Sequence, residues 1–393
     1  MRILFLNPDL NTNGLVSSLE RHGCQLDFLI PLNHKQTDTL CKQFQSSYRA
    51  SSFEHYVELL HNLCSKNNYD YIFPTHADSQ TMLLSEINEK FSLPGIKILE
   101  NNASDKSVYY EKMRSLGINC PETYMIVSEY ETRVIPNGVR YPCVAKPVSG
   151  SGGMGVRILN NEKELRLFFA VPSLACKVPG RVFGRYIVEE YIEGRICSPL
   201  GIVKYGQVTI DYCQEIFPAT GSFPTESGFA LPADFSDALF EKIKQDITLF
   251  LAEMGLDNSP WCFDIIVQED RHWFIDAGFR IGRNNQRMIE YAGERDYGWK
   301  IIERLILDKH SELNLSNAVV TGSLGLAEGV ITNIHCKRPE LADYLRLPEV
   351  SVSLSLDDLD VMRNGYAVVT DRTVAEALTK FSDLINSISV DYE

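Results

Sequence analysis

One stretch, residues 141–159, constrains this chain more than any other, because a lysine and a cluster of glycines lie between two apolar runs. The first run ends at Lys146, glycines follow at positions 150, 152, 153 and 155, and the second run covers residues 156–159. Glycines allow neighbouring backbone N–H groups to point into one concavity, which suits an anion. Together with the charge of Lys146, the pattern predicts a β-hairpin whose glycine-rich turn binds phosphate.

Three other phosphate-binding motifs do not fit this stretch. The glycines have G-x-G-x-x-G spacing, but the dinucleotide fingerprint requires a helix directly after them and an acidic residue about 20 positions further on. Here a strand pattern follows instead, and the later neighbourhood holds Cys176 and Lys177. A P-loop is excluded because no Gly-Lys-Ser/Thr follows, and a kinase loop would place its lysine after the glycines. The hairpin could instead close over a triphosphate.

Composition narrows the class of protein. A chain of 393 residues with 44% hydrophobic and 23% charged residues is typical of a globular protein of two or three domains. The net charge of −14 argues against a nucleic-acid partner, which requires clustered Lys and Arg. No apolar run is long enough to span a membrane. The ten cysteines include no C-x-x-C pair, so we expect reduced thiols and a cytoplasmic protein.

Residues 1–100 alternate strand and helix patterns, which predicts a parallel sheet. Ligands tend to bind at the carboxyl ends of strands in such sheets. Residues 7–9 and 74–78 occupy such positions, with residues 74–78 the better candidate for substrate contact. Further along, residues 217–235 are rich in Pro, Gly and Ser/Thr, and we expect a long loop there.

Residues 261–280 predict a second hairpin with a short polar turn. Pairing Gln268 with His272 places Asp264 directly opposite Asp276, with Cβ atoms roughly 4.5–5.5 Å apart. A one-residue slip would put the two aspartates on opposite faces. In the first register, the apolar face carries positions 261, 263, 265, 267, 273, 275, 277 and 279. Two facing carboxylates repel, so we expect a cation there. Mg²⁺ that bridges nucleotide phosphates takes one or two protein carboxylates.

The two hairpins resemble parts of the ATP-grasp superfamily. A helix over residues 105–116, with Ser104 as its expected N-cap, is similar to a family helix whose lysine reaches the nucleotide phosphates; Lys106 matches that lysine. Residues 188–194 resemble the connector between the two lobes of the family's nucleotide site. The four motifs occur in family order, and the resemblance covers nearly the whole chain.

The resemblance implies a role for each matching residue. Phosphate would contact two lysines and the glycine turn, namely Lys106, Lys146, Ser149, Ser151, Gly152, Gly153, Met154 and Gly155. Adenine would contact the connector at Glu189, Glu190, Tyr191 and Ile192. Asp264 and Asp276 would bind Mg²⁺, and the catalytic residues would be Arg280 and Lys146. Two positions depart from the family pattern: Ile196 replaces a common ribose-binding glutamate, and Gly278 replaces a metal-binding asparagine.

The fold implied by the resemblance is α/β, of the ATP-grasp type, with an N-terminal parallel α/β domain and a small C-terminal α+β subdomain. We expect the N-terminal domain at residues 1–103 and the small lobe with the phosphate hairpin at residues 104–187. The large lobe with the Mg²⁺ hairpin would cover residues 188–310, and the C-terminal subdomain residues 311–393.

The activity implied by the resemblance is ADP-forming ligation of a small-molecule carboxylate to an amine through an acyl phosphate, with ATP and Mg²⁺ as cofactors. An ATP-grasp carboxylase or kinase, and a non-catalytic nucleotide-binding module, stay open as alternatives. We expect no nucleic-acid or membrane partner and leave a homodimer open. The sequence identifies neither substrate.

Overall fold

The computed structural model describes residues 1–8, 12–31, 46–74, 81–98, 103–128, 134–150, 153, 155–170, 184–218, 226–282, 285–326, 329–350, 353–354 and 365–393. The predicted residues Asp9, 75–78, Ser151, Gly152 and Met154 lie outside these ranges. Within them, the strands form four sheets, and the mixed α/β architecture confirms the predicted fold class.

The N-terminal part is a four-stranded parallel sheet with the order β3-β2-β1-β4. Strands β1 and β4 are almost entirely apolar and buried, as expected when helices cover both faces of a parallel sheet. The strands are β1 (Arg2–Leu6), β2 (Gln25–Ile30), β3 (Ser47–Arg49) and β4 (Tyr71–Pro74), and the helices are α1 (Asn13–Arg21), α2 (Phe53–Lys66) and α3 (Thr81–Lys90). The predicted parallel sheet is therefore confirmed.

A second, antiparallel sheet contains the lysine hairpin, with the order β5-β8-β6-β7. It comprises β5 (Thr123–Ser128), β6 (Cys143–Pro147), β7 (Arg157–Leu159) and β8 (Arg185–Glu190), with helix α4 (Lys106–Ser115) before it and α5 (Glu162–Ala170) between β7 and β8. The pairs Cys143↔Leu159 and Ala145↔Arg157 join β6 to β7. The predicted hairpin around the glycine turn is therefore confirmed.

The largest sheet has eight antiparallel strands, in the order β13-β12-β9-β10-β11-β14-β18-β16. Its first five strands by position are β13 (Arg271–Gly278), β12 (Ser259–Gln268), β9 (Arg195–Lys204), β10 (Gln207–Pro218) and β11 (Glu226–Leu231). Helix α6 (Asp237–Glu253) buries its apolar stripe, including Ile243, Ile247 and Phe250, in the same core as Trp261 and Phe263 of β12. The aspartate hairpin is thus an edge of this sheet.

The last part of the chain completes the large sheet with β14 (Ala318–Ser323), β18 (Tyr366–Asp371) and β16 (Tyr344–Arg346). Helices α7 (Asn285–Tyr291) and α8 (Tyr297–Leu305) precede it. A small sheet with the order β17-β15-β19, formed by β15 (Gly329–Cys336), β17 (Ser353–Leu354) and β19 (Ile388–Tyr392), lies beside α9 (Val374–Asn386). The C-terminal segment therefore shares a continuous sheet with the preceding lobe.

One sequence expectation was wrong. Residues 217–235 were expected to form a long loop, but residues 226–231 are strand β11, which pairs with β10 on one side and β14 on the other. Pairing with two neighbouring strands overrides the Pro- and Gly-rich composition of the stretch, and the last four residues of β11 are buried between those neighbours. Residues 219–225 lie outside the described ranges.

Two observations bear on the predicted environment. Each of the eight described cysteines is a free thiol. In the part of the chain that the structure describes, no helix is both long and apolar enough to cross a membrane.

Candidate active site

The first predicted lysine opens helix α4. Asp105, rather than the expected Ser104, is the N-cap, and its carboxylate accepts a hydrogen bond from the Ser107 backbone N–H at 2.8 Å. A carboxylate is a strong N-cap and also favours the positive end of the helix dipole. The backbone N–H of Lys106 donates to the carbonyl of Val148 at 2.7 Å, just after β6. This bond holds the start of α4 beside the glycine turn.

The second predicted lysine, Lys146, is buried on β6 with 7% of its side chain exposed. Its ammonium contacts Glu189 Oε1 at 2.6 Å, the Tyr110 hydroxyl at 2.8 Å and the Ile275 carbonyl at 2.9 Å. An ammonium has three N–H donors. Three partners within the chain therefore match the full donor capacity of Lys146.

The glycine turn between β6 and β7 has the backbone that the sequence predicts. Gly153 has φ +67° and Gly155 φ +78°, in the left-handed region that disfavours residues with a Cβ. Ser149 is exposed at the start of the turn. In the described part of the turn, Ser149 is exposed and Gly153 is half-buried, whereas Gly155 is buried.

The connector after β8 separates into a buried and an exposed part. Glu189 has 3% of its side chain exposed and faces Lys146, so its carboxylate is engaged inside the protein. Burial raises the pKa of Glu189, although the positive charges of Lys146 and Lys106 oppose that effect. Glu190 instead pairs with Arg140 at 2.8 Å, and Tyr191 is exposed. An adenine ring at this connector would therefore have to contact the backbone and the side chains that follow Glu189.

Position 196 holds the isoleucine that replaces the ribose-binding glutamate expected from the resemblance. Ile196 pairs with Ile216 on β10 and Ile266 on β12 and packs against an apolar cluster. No carboxylate stands at this position on β9, so a ribose would need other partners.

The aspartate hairpin has the predicted opposition of Asp264 and Asp276, which are direct partners in the register. Near the turn, however, Gln268 pairs with Arg271 rather than His272. The difference is absorbed by a β-bulge, in which Ile275 is the extra residue between the pairs Asp264↔Asp276 and Ile265↔Phe274. A bulge changes which side chains share a face.

The bulge corrects part of the predicted apolar face. Trp273 and Ile275 were expected in the core, but His272 and Phe274 are fully buried there instead. Beyond the bulge, Ala277 and Phe279 are buried as expected. The two aspartates therefore stay on one face although the register near the turn differs by one residue.

The two aspartates have opposite electrostatic environments. Burial raises the pKa of Asp264 to about 7, and the negative charges of Asp276 and Glu226 add to the effect. Burial also acts to raise the pKa of Asp276, but the positive charges of Lys106 and Lys146 outweigh it and hold that pKa below its usual value. Lys106 Nζ lies 2.9 Å from Asp276 Oδ1. Asp264 is therefore the carboxylate that a further cation would stabilise most.

The pair of aspartates fits a magnesium–nucleotide site. Across the described ranges, no group of three or more His, Cys, Asp or Glu side chains is arranged to hold a metal. Mg²⁺ in nucleotide sites takes one or two carboxylates and completes its octahedron with phosphate oxygens and water. Asp264 and Asp276 could supply those carboxylates, and Gly278 supplies no side-chain ligand.

Arg280 follows β13 on the side of Asp264. Its Nη1 donates to the Ile281 carbonyl at 3.1 Å and lies 3.8 Å from Cys262 Sγ. Its positive charge partly offsets the raised pKa of Asp264. The structure thus brings Arg280, the two lysines and the two aspartates to the same end of the hairpin strands.

Two site residues were missed from the sequence. Tyr109 and Tyr110 of α4 donate hydrogen bonds to Asp276 Oδ1 and to the Ile275 carbonyl, each at 2.8 Å. Residues three and four positions apart lie on one helix face. The spacing from Lys106 to Tyr109 and Tyr110 was the signal that could have placed all three beside the hairpin.

The candidate ligand positions at the N-terminal sheet are only partly described. Asn7 follows β1, is buried, and has a left-handed backbone with φ +50°. Pro74 ends β4, and the rest of that candidate, residues 75–78, lies outside the described ranges.

Comparison with known proteins identifies one domain within the chain. Residues 103–256 match the model of an ATP-grasp domain, a span that contains α4, the lysine hairpin and the connector. The carbamoyl phosphate synthase large chain of Sulfurisphaera tokodaii is 22% identical over 236 residues, which cover 58% of this chain and 22% of that protein. The formate-dependent phosphoribosylglycinamide formyltransferase of Cupriavidus taiwanensis is 25% identical over 265 residues, which cover 61% of this chain and 59% of that protein. The chain thus matches less than two thirds of the length of either relative.

Similarity of fold extends over the whole chain. The crystal structure of an L-amino acid ligase from Bacillus licheniformis superposes with a TM-score of 0.78 at 14% identity, covering 100% of this chain and 98% of the other. At this identity the likeness establishes the fold and leaves the reaction open. Residues 103–256 therefore match an ATP-grasp domain, and the whole chain shares the fold of that ligase.

Proposed function

We propose that this protein is an ADP-forming ligase that joins a small-molecule carboxylate to an amine through an acyl phosphate. One observation carries the proposal: Lys106 from α4 and Lys146 from β6 converge on β13, which also presents Asp276 opposite Asp264. Two cations and two carboxylates from separate elements form the arrangement that phosphoryl transfer from a nucleotide requires. The fold shared over the whole chain with an L-amino acid ligase is consistent with this reaction class.

Each residue has a role in this proposal. Lys106, Lys146 and the turn at Gly153 and Gly155 hold the phosphates, and the backbone after Glu189 holds adenine. Asp264 and Asp276 hold Mg²⁺, which, when bound, neutralises charge on the phosphate oxygens. Arg280 neutralises the charge that develops on the transferred phosphoryl group and on the substrate carboxylate.

Phosphate binding by Lys146 implies an exchange of partners. Its three donors already contact Glu189, Tyr110 and the Ile275 carbonyl, so a phosphate oxygen must replace at least one of them. Losing the Ile275 carbonyl should cost the least free energy, because this carbonyl would still accept a hydrogen bond from Tyr110. Separation from Glu189 should cost the most free energy, because the buried carboxylate would face no other cation at this distance. We therefore expect Lys146 to keep Glu189 and to exchange the carbonyl.

The chemistry needs no nucleophilic side chain. An oxygen of the substrate carboxylate attacks the γ-phosphorus and ADP leaves, which gives the acyl phosphate. The amine nitrogen then attacks the acyl carbon, phosphate leaves, and the nitrogen loses a proton to give the amide. Positioning and charge stabilisation supply most of the acceleration in reactions of this kind.

The test is a screen for ADP release in which amino acids and other carboxylates are combined with amines in pairs, followed by mass spectrometry of the products. We expect ADP release that depends on both a carboxylate and an amine and a product mass equal to their sum less water. An Asp264→Asn variant serves as the inactive control. ADP release with bicarbonate would favour a carboxylase, and release of a phosphorylated substrate without an amine would favour a kinase.

The absence of ADP release from a protein that still binds Mg-ATP would favour the non-catalytic nucleotide-binding module. The same proposal includes small-molecule substrates and a cytoplasmic location. It also includes domains that end at residues 103, 187 and 310. A homodimer stays open within it.

A further inference from the structure

Two adjacent tyrosines of α4 attach this helix to strand β13. Tyr109 donates its hydroxyl hydrogen to Asp276 Oδ1 at 2.8 Å, and Tyr110 donates to the carbonyl of Ile275 at 2.8 Å. Both residues are fully buried, and their rings pack edge to face at 5.1 Å. Tyr109 also packs edge to face against Phe250 of α6. The two hydroxyls thus reach consecutive residues of β13 from a rigid, packed position.

The tyrosines meet β13 at its bulge. Ile275 is the extra residue of that bulge. Its carbonyl accepts from Tyr110 at 2.8 Å and from Lys146 Nζ at 2.9 Å, rather than from a neighbouring strand. An extra residue in a bulge leaves backbone groups outside the ladder, and bulges near active sites re-aim side chains. Here the bulge keeps Asp276 opposite Asp264 while His272 and Phe274 stay in the core.

The carboxylate of Asp276 is held through one of its two oxygens. Oδ1 accepts from Tyr109 at 2.8 Å and from the Ala277 backbone N–H at 2.9 Å, and it lies 2.9 Å from Lys106 Nζ. Among the described residues, the contacts of this carboxylate fall on Oδ1, so that Oδ2 is the oxygen that we expect to be available to a cation. About one third of this side chain is exposed, so the carboxylate is also accessible from solvent.

We propose that Tyr109 is a positioning residue for cation binding: with Lys106 it fixes the rotation of the Asp276 carboxylate so that Oδ2 is presented to the metal. The inference rests on the proposed function, because it takes Asp276 as a metal ligand. A carboxylate fixed before the cation arrives loses less conformational freedom on binding. Tyr109 therefore acts on metal affinity rather than on contact with the nucleotide.

The chain offers a matched control in its N-terminal sheet. There Tyr69 donates to Asp27 Oδ2 at 2.7 Å, and the same oxygen lies 2.8 Å from Arg2 Nη2. Tyr69 and Asp27 are both buried. In both places one aspartate oxygen is shared by a cation and a tyrosine hydroxyl, although Asp27 is buried whereas Asp276 is about one third exposed. Tyr69→Phe removes the same kind of hydrogen bond as Tyr109→Phe, but at Asp27 of β2, whereas the proposed metal site is on β12 and β13 of a different sheet.

The experiment measures Mn²⁺ binding to the full chain with saturating ADP, by the loss of the free Mn²⁺ signal in electron paramagnetic resonance. We expect Tyr109→Phe to raise the half-saturating Mn²⁺ concentration roughly tenfold, as for loss of a hydrogen bond to a charged group. Tyr69→Phe should leave it unchanged, although both variants lower the melting temperature. Affinity for ADP in the presence of a chelator should be the same within about twofold for Tyr109→Phe and wild type.

Wild-type Mn²⁺ affinity in Tyr109→Phe, or an equal loss in both tyrosine variants, would overturn the inference and leave the proposed function standing. If the wild type itself binds no Mn²⁺ with ADP, the proposed function and the inference both fail. Should Tyr109→Phe not fold, Tyr110→Phe replaces it, because Tyr110 holds the carbonyl that precedes Asp276. Unchanged Mn²⁺ affinity in a folded Tyr110→Phe variant would then count against the positioning role.

Discussion

Replacing Asp264 with asparagine should make the metal-free protein more stable, whereas the same change at Asp276 should make it less stable. The two carboxylates face each other, and among the described residues Asp276 also forms an ion pair, with Lys106 at 2.9 Å. Repulsion between facing carboxylates alone would predict a gain for either substitution. The structure assigns the gain to Asp264 because that residue carries the raised pKa.

The sign and size for Asp264 follow from its pKa, which burial and Asp276 raise from the usual 3.8 to about 7. A carboxyl with a higher pKa in the folded state destabilises the fold once it must ionise. This loss begins as the pH rises through the unfolded value and is complete above the folded value. The full shift corresponds to an upper limit of about 4 kcal/mol. Because partial exposure screens the charge, we expect Asp264→Asn to gain about 1–2 kcal/mol at about pH 8 and almost nothing at about pH 4.

Asp276→Asn acts in the other direction. It removes the carboxylate beside Lys106, whose side chain is only 6% exposed, and leaves a buried ammonium without its charged partner. Breaking a fully buried ion pair costs about 3–5 kcal/mol, and the one-third exposure of Asp276 lowers the expected loss to about 1–3 kcal/mol.

The assay is denaturant unfolding of both variants and the wild type without metal, at about pH 4 and about pH 8. Thermal melts with Mg-ATP then test the ligand role, and both variants should lose most of the rise in melting temperature that the wild type gains. A less stable Asp264→Asn protein at the higher pH would refute the reasoning. So would a gain of equal size at both pH values, because the raised pKa of Asp264 would then have no part in it.

Three further substitutions test other parts of the account. Lys146→Met should abolish ADP release and lower the free energy of unfolding by about 2–4 kcal/mol, because it leaves Glu189 buried without its partner. Adding Glu189→Gln to this variant should restore much of the stability but no activity. Additive losses of the two substitutions in denaturant unfolding would contradict the pairing. Asp211→Asn should cost about 3 kcal/mol in the same measurement, because the buried Arg304 loses its bidentate partner; a loss below about 1 kcal/mol would contradict a buried pair. Thr373→Ala breaks a capping box at α9 and should cost about 1 kcal/mol while ADP release stays at the wild-type rate, so a loss of activity would show that α9 contributes to the site.

The sequence anticipated what depends on local spacing. The lysine hairpin followed from two apolar runs around glycines, and the opposition of Asp264 and Asp276 followed from counting residues across a turn. The lysine hairpin survives because strand period is a local property, whereas the opposition of the two aspartates survives because the bulge at Ile275 offsets a turn one residue shorter than predicted. The parallel N-terminal sheet was anticipated for the same reason, since alternating strands and helices leave few topologies.

The sequence did not anticipate what depends on distant contacts. The bulge at Ile275 has no local signal, and it is held by Tyr110 of α4 and Lys146 of β6, which are far away in the chain. Strand β11 was missed because its composition is that of a loop, and only its pairing with β10 and β14 makes it a strand. The partners of the buried lysines likewise depend on how the two lobes approach each other.

The most direct test of the central claim follows one oxygen atom. Once the screen has identified a substrate pair, the carboxylate is labelled with oxygen-18 and the phosphate released during turnover is analysed by mass spectrometry. Attack of the carboxylate on the γ-phosphorus predicts that each phosphate carries one labelled oxygen, and that Asp264→Asn releases almost none. Unlabelled phosphate released in step with the product would contradict the acyl phosphate and the ligase assignment built on it.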